Sequence, residues 1–186
     1  MNQGRLLGIS GSLRAGSMNT KLMREGARLF APSEFTEANL RLPLYDGDLE
    51  QNDGIPSEVQ TLADQIAASD AVIISSPEYN QSLTGVLKNA LDWVSRTDIK
   101  PWAGKPVAIV AAAAGRAGGA RGTYALRLAL MPFRAQVLPG PEVLVGGAMR
   151  EFDEKGSLTN DIYLGALQEL MSDLRVASGL PAVKAA

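Results

Sequence analysis

Residues 5–20 read RLLGISGSLRAGSMNT. The first six, Arg5–Ser10, are a short apolar run that contains a β-branched residue. Too short for a helix, this run predicts a strand buried on both faces. A turn rich in glycine and hydroxyls follows. From Asn19 to Phe30 the apolar spacing becomes helical, with Leu22, Met23, Ala27, Leu29 and Phe30 recurring along the segment. Strand, glycine turn and helix in that order form the opening unit of a parallel α/β sheet.

The same alternation continues along the chain. Ala71–Ser76 (AVIISS) and Pro106–Ala113 (PVAIVAAA) are runs of the same kind, Val143–Val145 reads as the last strand, and Glu34–Leu40 alternates more shallowly. Helical patterns cover Pro56–Ser69, Leu83–Val94, Gly119–Phe133 and Thr159–Ala177, the last opened by the capping sequence Thr-Asn-Asp. The order predicts an α/β, flavodoxin-like three-layer fold, with a five-stranded parallel sheet of order 2-1-3-4-5 and helices on both faces. Residues 1–186 read as a single domain. Residues 41–55 read as a long polar connection, and 179–186 as a flexible tail.

Composition narrows the chemistry. Of 186 residues, none is cysteine or histidine. That excludes a disulfide framework, a thiolate nucleophile, an iron–sulfur cluster, a Ser-His-Asp triad and a His- or Cys-ligated metal. Eighteen basic residues against 20 acidic give a net charge of −2, so nothing points to nucleic acid or an anionic membrane. The longest strongly apolar run, Val107–Ala114, is far short of a membrane span. The N-terminus lacks the apolar core of a secretory signal, and a cytoplasmic protein is expected.

In a doubly wound sheet, ligands bind outside the carboxyl ends of the strands. The loop after the first strand, Gly11 to Asn19, offers hydroxyls, Arg14 and a helix N-terminus, which suit a terminal monophosphate. The dinucleotide pattern G-x-G-x-x-G is not present. Gly11 and Gly16 have the spacing of a nucleoside-triphosphate loop, but Ser17-Met18 stand where Lys-Ser/Thr would be. The competing reading is a plain turn capped by Ser17 or Asn19. The loop after the third strand, Ser76 to Gly85, carries Glu78, Tyr79 and Asn80 behind the stiff Pro77. It suits contact with a planar heterocycle, or is an ordinary turn.

Taken together, GSLRAGSMN (11–19) and PEYNQSLTGVLKNALDW (77–93) resemble the NADPH-dependent FMN reductase family, in particular its bacterial quinone and chromate reductase branch. Leu42–Asp46 and Gly118–Arg121 also resemble family segments, and the likeness runs from Leu6 to about Glu142. The resemblance implies FMN held non-covalently, with NAD(P)H as electron donor. By position it assigns Ser12, Arg14, Ser17 and Asn19 to the phosphate and Pro77, Glu78, Tyr79 and Asn80 to the ring. Ala113, Gly115 and Arg116 fall at the pyrimidine side, where the AAAAG sequence supplies no hydroxyl and only backbone N–H groups can donate. No catalytic side chain and no metal ligand is implied, since the flavin does the chemistry.

The expected activity is hydride transfer from NAD(P)H to FMN, then electron transfer to quinones, flavins, chromate or ferric chelates in a ping-pong cycle. The rival is a flavodoxin-like electron carrier that does not oxidise NAD(P)H; such carriers are usually far more acidic. The resemblance further implies a homodimer or homotetramer acting on small molecules. Trp93, Trp102 and Tyr124 are candidates either for that interface or for the core, Arg121, Tyr124 and Glu142 for a polar cluster between subunits. Lys88, Asp92 and Arg96 read as a solvated helix face.

Overall fold

The computed structural model describes residues 4–182. The elements run β1 (Arg5–Ser10), α1 (Met18–Phe30), β2 (Glu34–Glu37), α2 (Gly47–Asp53), α3 (Ser57–Ala68), β3 (Ala71–Ser75), α4 (Gly85–Val94), β4 (Pro106–Ala112), α5 (Ala120–Leu130), β5 (Gln136–Val137), β6 (Val143–Val145) and α6 (Asp161–Ala177). The strands form one sheet of order β2-β1-β3-β4-β5, with β6 also on β4, and every pairing is parallel. This is the expected flavodoxin-like sheet with one change. Its fifth position is shared by two short strands. Gln136 and Val137 pair with Pro106 and Val107, whereas Val143–Val145 pair with Val110–Ala112. Pro139 and Pro141 lie between them, and neither has the N–H that a continuous ladder requires.

Alternate side chains of the central strands separate into two cores, as the twofold strand period demands. Leu6, Ala71, Ile73, Ala108, Val110 and Ala112 pack under α1 and α6, against Leu22, Met23, Phe30, Leu167, Leu170 and Leu174. Leu7, Ile9, Val72, Ile74, Val107 and Ile109 face α3, α4 and α5, against Leu62, Ile66, Leu87, Leu91 and Leu126. Arg175 is buried at the end of α6. It donates to the carbonyl oxygens of Phe30 (2.7 Å) and Ala31 (3.4 Å) at the end of α1, and lies 5.3 Å from the Phe30 ring centre. The cation thus meets the negative end of the α1 dipole. Its Nε also binds the Pro181 carbonyl at 2.7 Å, and Leu180 is only 8% exposed. The first residues of the expected tail are therefore held against the body; residues 183–186 lie outside the described residues. Among the described residues no helix is long and apolar enough to cross a membrane.

The polar connection 41–55 contains a helix that the sequence reading did not anticipate. Asp46 caps α2 by accepting from Asp48 N–H (2.9 Å), and Gly54 closes it at φ +79°. Because α2 buries no residue, it has no apolar stripe to read. Side chains of α4 hold the segment instead. Asn89 and the Trp93 indole both donate to the Pro43 carbonyl (2.9 and 2.8 Å), and Tyr45 packs edge-on against Trp93. Arg96, expected to be solvated, reaches Glu50 at 3.0 Å, while Lys88 and Asp92 pair along the helix at 2.6 Å. Trp93 and Trp102 are both buried within the chain, so they close the interior.

The Arg96 hydrogen bond, aided by the Tyr45 hydroxyl, holds the Glu50 carboxyl below its ordinary value of 4.5. A carboxyl depressed by folding stabilises the fold above its unfolded pKa, and that stabilisation is lost as pH falls through the folded value. Arg96→Ala should therefore lower the urea midpoint at neutral pH, and its deficit relative to the parent should shrink as the pH falls below 4.5 and the Glu50 carboxyl is protonated.

Candidate functional site

The carboxyl ends of β1, β3, β4 and β6 open onto one cleft of about 260 Å3. It is lined by Ser12, Arg14, Ser17, Met18 and Asn19, by Pro77, Glu78 and Tyr79, by Ala112, Ala113 and Ala114, and by Ala148 and Met149. Its first wall is the turn from β1 into α1. Gly11 N–H donates to the Ser75 carbonyl (2.8 Å), and a Cβ at Gly11 would lie 2.6 Å from a Leu87 methyl group and 3.0 Å from the Thr84 hydroxyl, so any larger residue there would press on the start of α4. Ser17 caps α1 by accepting from Thr20 N–H (3.2 Å). The N–H groups of Met18 and Asn19, in the first helical turn, have no carbonyl four residues back within the helix. The exposed Arg14 guanidinium makes no hydrogen bond or ion pair among the described residues. Together these groups make a hydroxyl, amide and cation pole suited to a dianion.

Asn19 contributes to this pole differently from the expectation. Its side-chain amide is buried and turned into the sheet. It donates to the Ala112 carbonyl (2.8 Å) and accepts from Ala112 N–H (3.0 Å) and from the Ser75 hydroxyl (3.0 Å). All three bonds tie α1 to the ends of β4 and β3. What Asn19 can offer a ligand is therefore its backbone N–H.

The second wall is a hairpin. Tyr79 and Ser82 exchange N–H···O bonds at 3.1 Å each way, and the two residues between them, Asn80 and Gln81, have φ +50° and +65°. Two successive left-handed residues are the mark of a type I′ turn, which favours glycine in the second place. The glutamine there is strained, as residues at binding sites often are. Tyr79 is half exposed and Pro77 buried. The Glu78 carboxylate does not face the cleft as a free acceptor. It takes hydrogen bonds from Arg121 N–H (2.9 Å) and Gly122 N–H (3.2 Å), and lies 3.8 Å from the Arg121 guanidinium. Arg121 is thus paired with Glu78, whereas the Tyr124 hydroxyl meets Glu142 at 3.5 Å. Within one chain the expected cluster of Arg121, Tyr124 and Glu142 divides into two contacts.

The third wall is apolar. Ala112–Ala114 present methyl groups, and Ala113 N–H is committed to the Val145 carbonyl (3.0 Å). Ala148 N–H donates to the Ala113 carbonyl (3.1 Å), which brings Ala148 and Met149 alongside. The sequence reading missed these two residues because it considered only the loops after the first, third and fourth strands. Gly146-Gly147 directly after the Val143–Val145 run was the available signal. Asn80, Gly115 and Arg116 are exposed and do not line the cleft; Gly115 and Arg116 continue the loop beyond Ala114.

The arrangement is polar and cationic at one end and flat and apolar along two sides. Such a donor set fits a planar heterocycle carrying a phosphate tail, as FMN does, and no nucleophile or acid–base pair converges on it. Two substitutions should move stability in opposite directions. Asn19→Leu strands the Ala112 amide and the Ser75 hydroxyl and should cost about 3 kcal/mol or more in urea unfolding. Gln81→Gly removes a left-handed side chain and should raise stability by about 1 kcal/mol.

The chain is similar to known proteins in sequence and fold. The model of the NADPH-dependent FMN reductase family matches residues 5–150. An NAD(P)H-dependent FMN reductase of Pseudomonas aeruginosa is 41% identical over 174 residues, covering 92% of this chain and 94% of the relative. A quinone reductase of Escherichia coli is 42% identical over 149 residues, covering 78% and 79%. Among solved structures, FerB, a flavoenzyme NAD(P)H:(acceptor) oxidoreductase from Paracoccus denitrificans, superposes with a TM-score of 0.85 at 30% identity, covering 97% of this chain and all of that one. Sequence, fold and the makeup of the cleft agree, and the chain belongs to the NADPH-dependent FMN reductase family.

Proposed function

We propose that this chain oxidises NAD(P)H and reduces small-molecule acceptors, quinones foremost, using FMN held non-covalently in the cleft. Other flavins, chromate and ferric chelates belong to the same acceptor set. The observation that carries the reading is the split polarity of one cleft, with Ser12, Arg14 and Ser17 at one end and Pro77–Tyr79 and Ala112–Ala114 along its sides. Relatives named for FMN and quinone reduction support it.

When bound, FMN supplies the redox chemistry, accepting hydride from NAD(P)H and releasing electrons to the acceptor. The chain's residues bind and orient. The Ser12 and Ser17 hydroxyls, the N–H groups of Met18 and Asn19, and Arg14 would receive the phosphate. Pro77 and Tyr79 would lie along the ring, with Glu78 contributing backbone and Asn80, exposed at the hairpin tip, reaching its outer edge. Ala113 offers a methyl face, its N–H being already used. The N–H groups of Gly115 and Arg116 are the donors assigned to the pyrimidine edge, where they would stabilise negative charge on the reduced ring. No side chain acts as acid, base or nucleophile, which accords with a sequence lacking His and Cys. Donor and acceptor occupy the same open cleft in turn, so the cycle is ping-pong. The reading includes a cytoplasmic homodimer or homotetramer, for which the exposed Tyr124, Leu128 and Met131 on and after α5 supply apolar surface.

The test is spectroscopic. Purified protein loaded with FMN and freed of excess flavin should bleach in the flavin band on anaerobic addition of NADPH or NADH, and a quinone should restore the colour. Initial rates should give parallel double-reciprocal lines. Retained FMN that fails to bleach would show an electron carrier instead; failure to retain FMN would remove the bound-cofactor reading.

A further inference from the structure

Glu78 lies in the hairpin assigned to the FMN ring, yet its carboxylate is turned toward another element. The partner is the start of α5. That helix cannot cap itself, because its N-cap residue is Gly119 at φ +94°, which has no side chain. Two of the first-turn amides left open are those of Arg121 and Gly122, and one Glu78 oxygen accepts from both, at 2.9 and 3.2 Å. The anion also sits at the positive end of the helix dipole and near the Arg121 guanidinium.

The packing around this bond is as close as the bond itself. A Cβ on Gly122 would lie 3.1 Å from Glu78 Cα and 3.1 Å from the Ser82 carbonyl oxygen. A Cβ on Gly119 would lie 3.0 Å from the Ala111 methyl group. Gly122 therefore allows the base of the hairpin to rest directly on the α5 backbone, and Gly119 allows the start of that helix to approach β4. On its other side the hairpin leaves β3 through Ser76, whose N–H binds the Val110 carbonyl at 3.0 Å. Its tip, Asn80-Gln81, is exposed and left-handed, and its side chains make no hydrogen bond among the described residues. What keeps the strained tip in place is anchorage at the base.

We propose that Glu78 is a positioning residue: by binding the first-turn amides of α5, its carboxylate holds the 77–82 hairpin, before any ligand arrives, in the shape that receives the FMN ring. This rests on the FMN reading above. It deepens that reading by separating two duties within one motif, ring contact by Pro77, Tyr79 and Asn80, and anchorage by Glu78. Order present beforehand is order that binding need not supply, so the anchor should show in affinity.

The experiment compares Glu78→Ala and Glu78→Gln in the full-length chain. Hydrogen exchange of the FMN-free protein reads the loop, and quenching of flavin fluorescence reads the FMN dissociation constant. Glu78→Ala should speed exchange in 76–82 and weaken FMN binding, each by about tenfold or more. Glu78→Gln should stay within about threefold on both measures, because one amide oxygen can still accept both N–H groups. Faster exchange in α5 alone, with 76–82 and FMN affinity unchanged, would make Glu78 a helix cap and nothing more, and would overturn the proposal. Should the parent protein fail to hold FMN, the FMN reading falls, while exchange in 76–82 still decides whether Glu78 anchors the hairpin. If Glu78→Ala does not fold, Gly122→Ala replaces it. That change favours the helix but pushes on Glu78 and Ser82, and it should loosen 76–82 with the carboxylate intact; unchanged exchange there would overturn the proposal.

Discussion

The side-chain amide of Asn19 is the bond on which the cleft depends. One planar group satisfies both backbone atoms of Ala112 and takes the Ser75 hydroxyl, so it joins the first turn of α1 to the ends of the two central strands β3 and β4. Buried amide bonds of this kind contribute modestly when made and cost heavily when broken, which gives them a strong hold on geometry. Here the geometry held is the distance between the phosphate-type pole at Ser12–Ser17 and the apolar wall at Ala112–Ala114. Shape and charge separation in the cleft therefore trace to a residue whose side chain reaches no ligand.

The same division of labour recurs around the cleft. Ser17 and Thr84 cap their own helices. Glu78 caps a helix that has no cap of its own. Ser10 and Thr20 hydroxyls pair at 2.8 Å and brace β1 against α1. Much of the polar chemistry of the motifs thus serves the scaffold, and what remains for a ligand is backbone N–H, two hydroxyls, one free guanidinium and flat apolar surface. That remainder would be a poor enzyme by itself. It suits a protein whose chemistry arrives with a bound cofactor.

How much of this was legible follows from where each partner sits. The strands β1, β3 and β4 were readable because burial on both faces leaves short unbroken apolar runs. The two motifs located the cleft because loops at the carboxyl edge of a doubly wound sheet must converge. The split of the fifth position was hidden: Val143–Val145 looks like a strand, but Gln136–Val137 is too short to register, although Pro139 and Pro141 mark the break. Helix α2 was hidden because it buries nothing. The inward turn of Asn19 and the sideways turn of Glu78 were hidden for another reason. Their partners lie 93 and 43 residues away in the chain, and local pattern carries no information at that range.

The guanidinium of Arg175 joins the end of α6 to the end of α1 across 145 residues of sequence, and α6 supplies much of the cover for the inner face of α1. On the ribosome the two helices are separated by the synthesis of every strand after the first. Through most of translation, then, Leu22, Met23 and Phe30 have no α6 to lie against, and the last carbonyls of α1 have no cation to meet. Contacts so distant in sequence form late and leave apolar surface open in the meantime. The glycine and serine turn is among the first parts of the protein to be made, yet the helix that presents it completes its packing only after Arg175 has emerged.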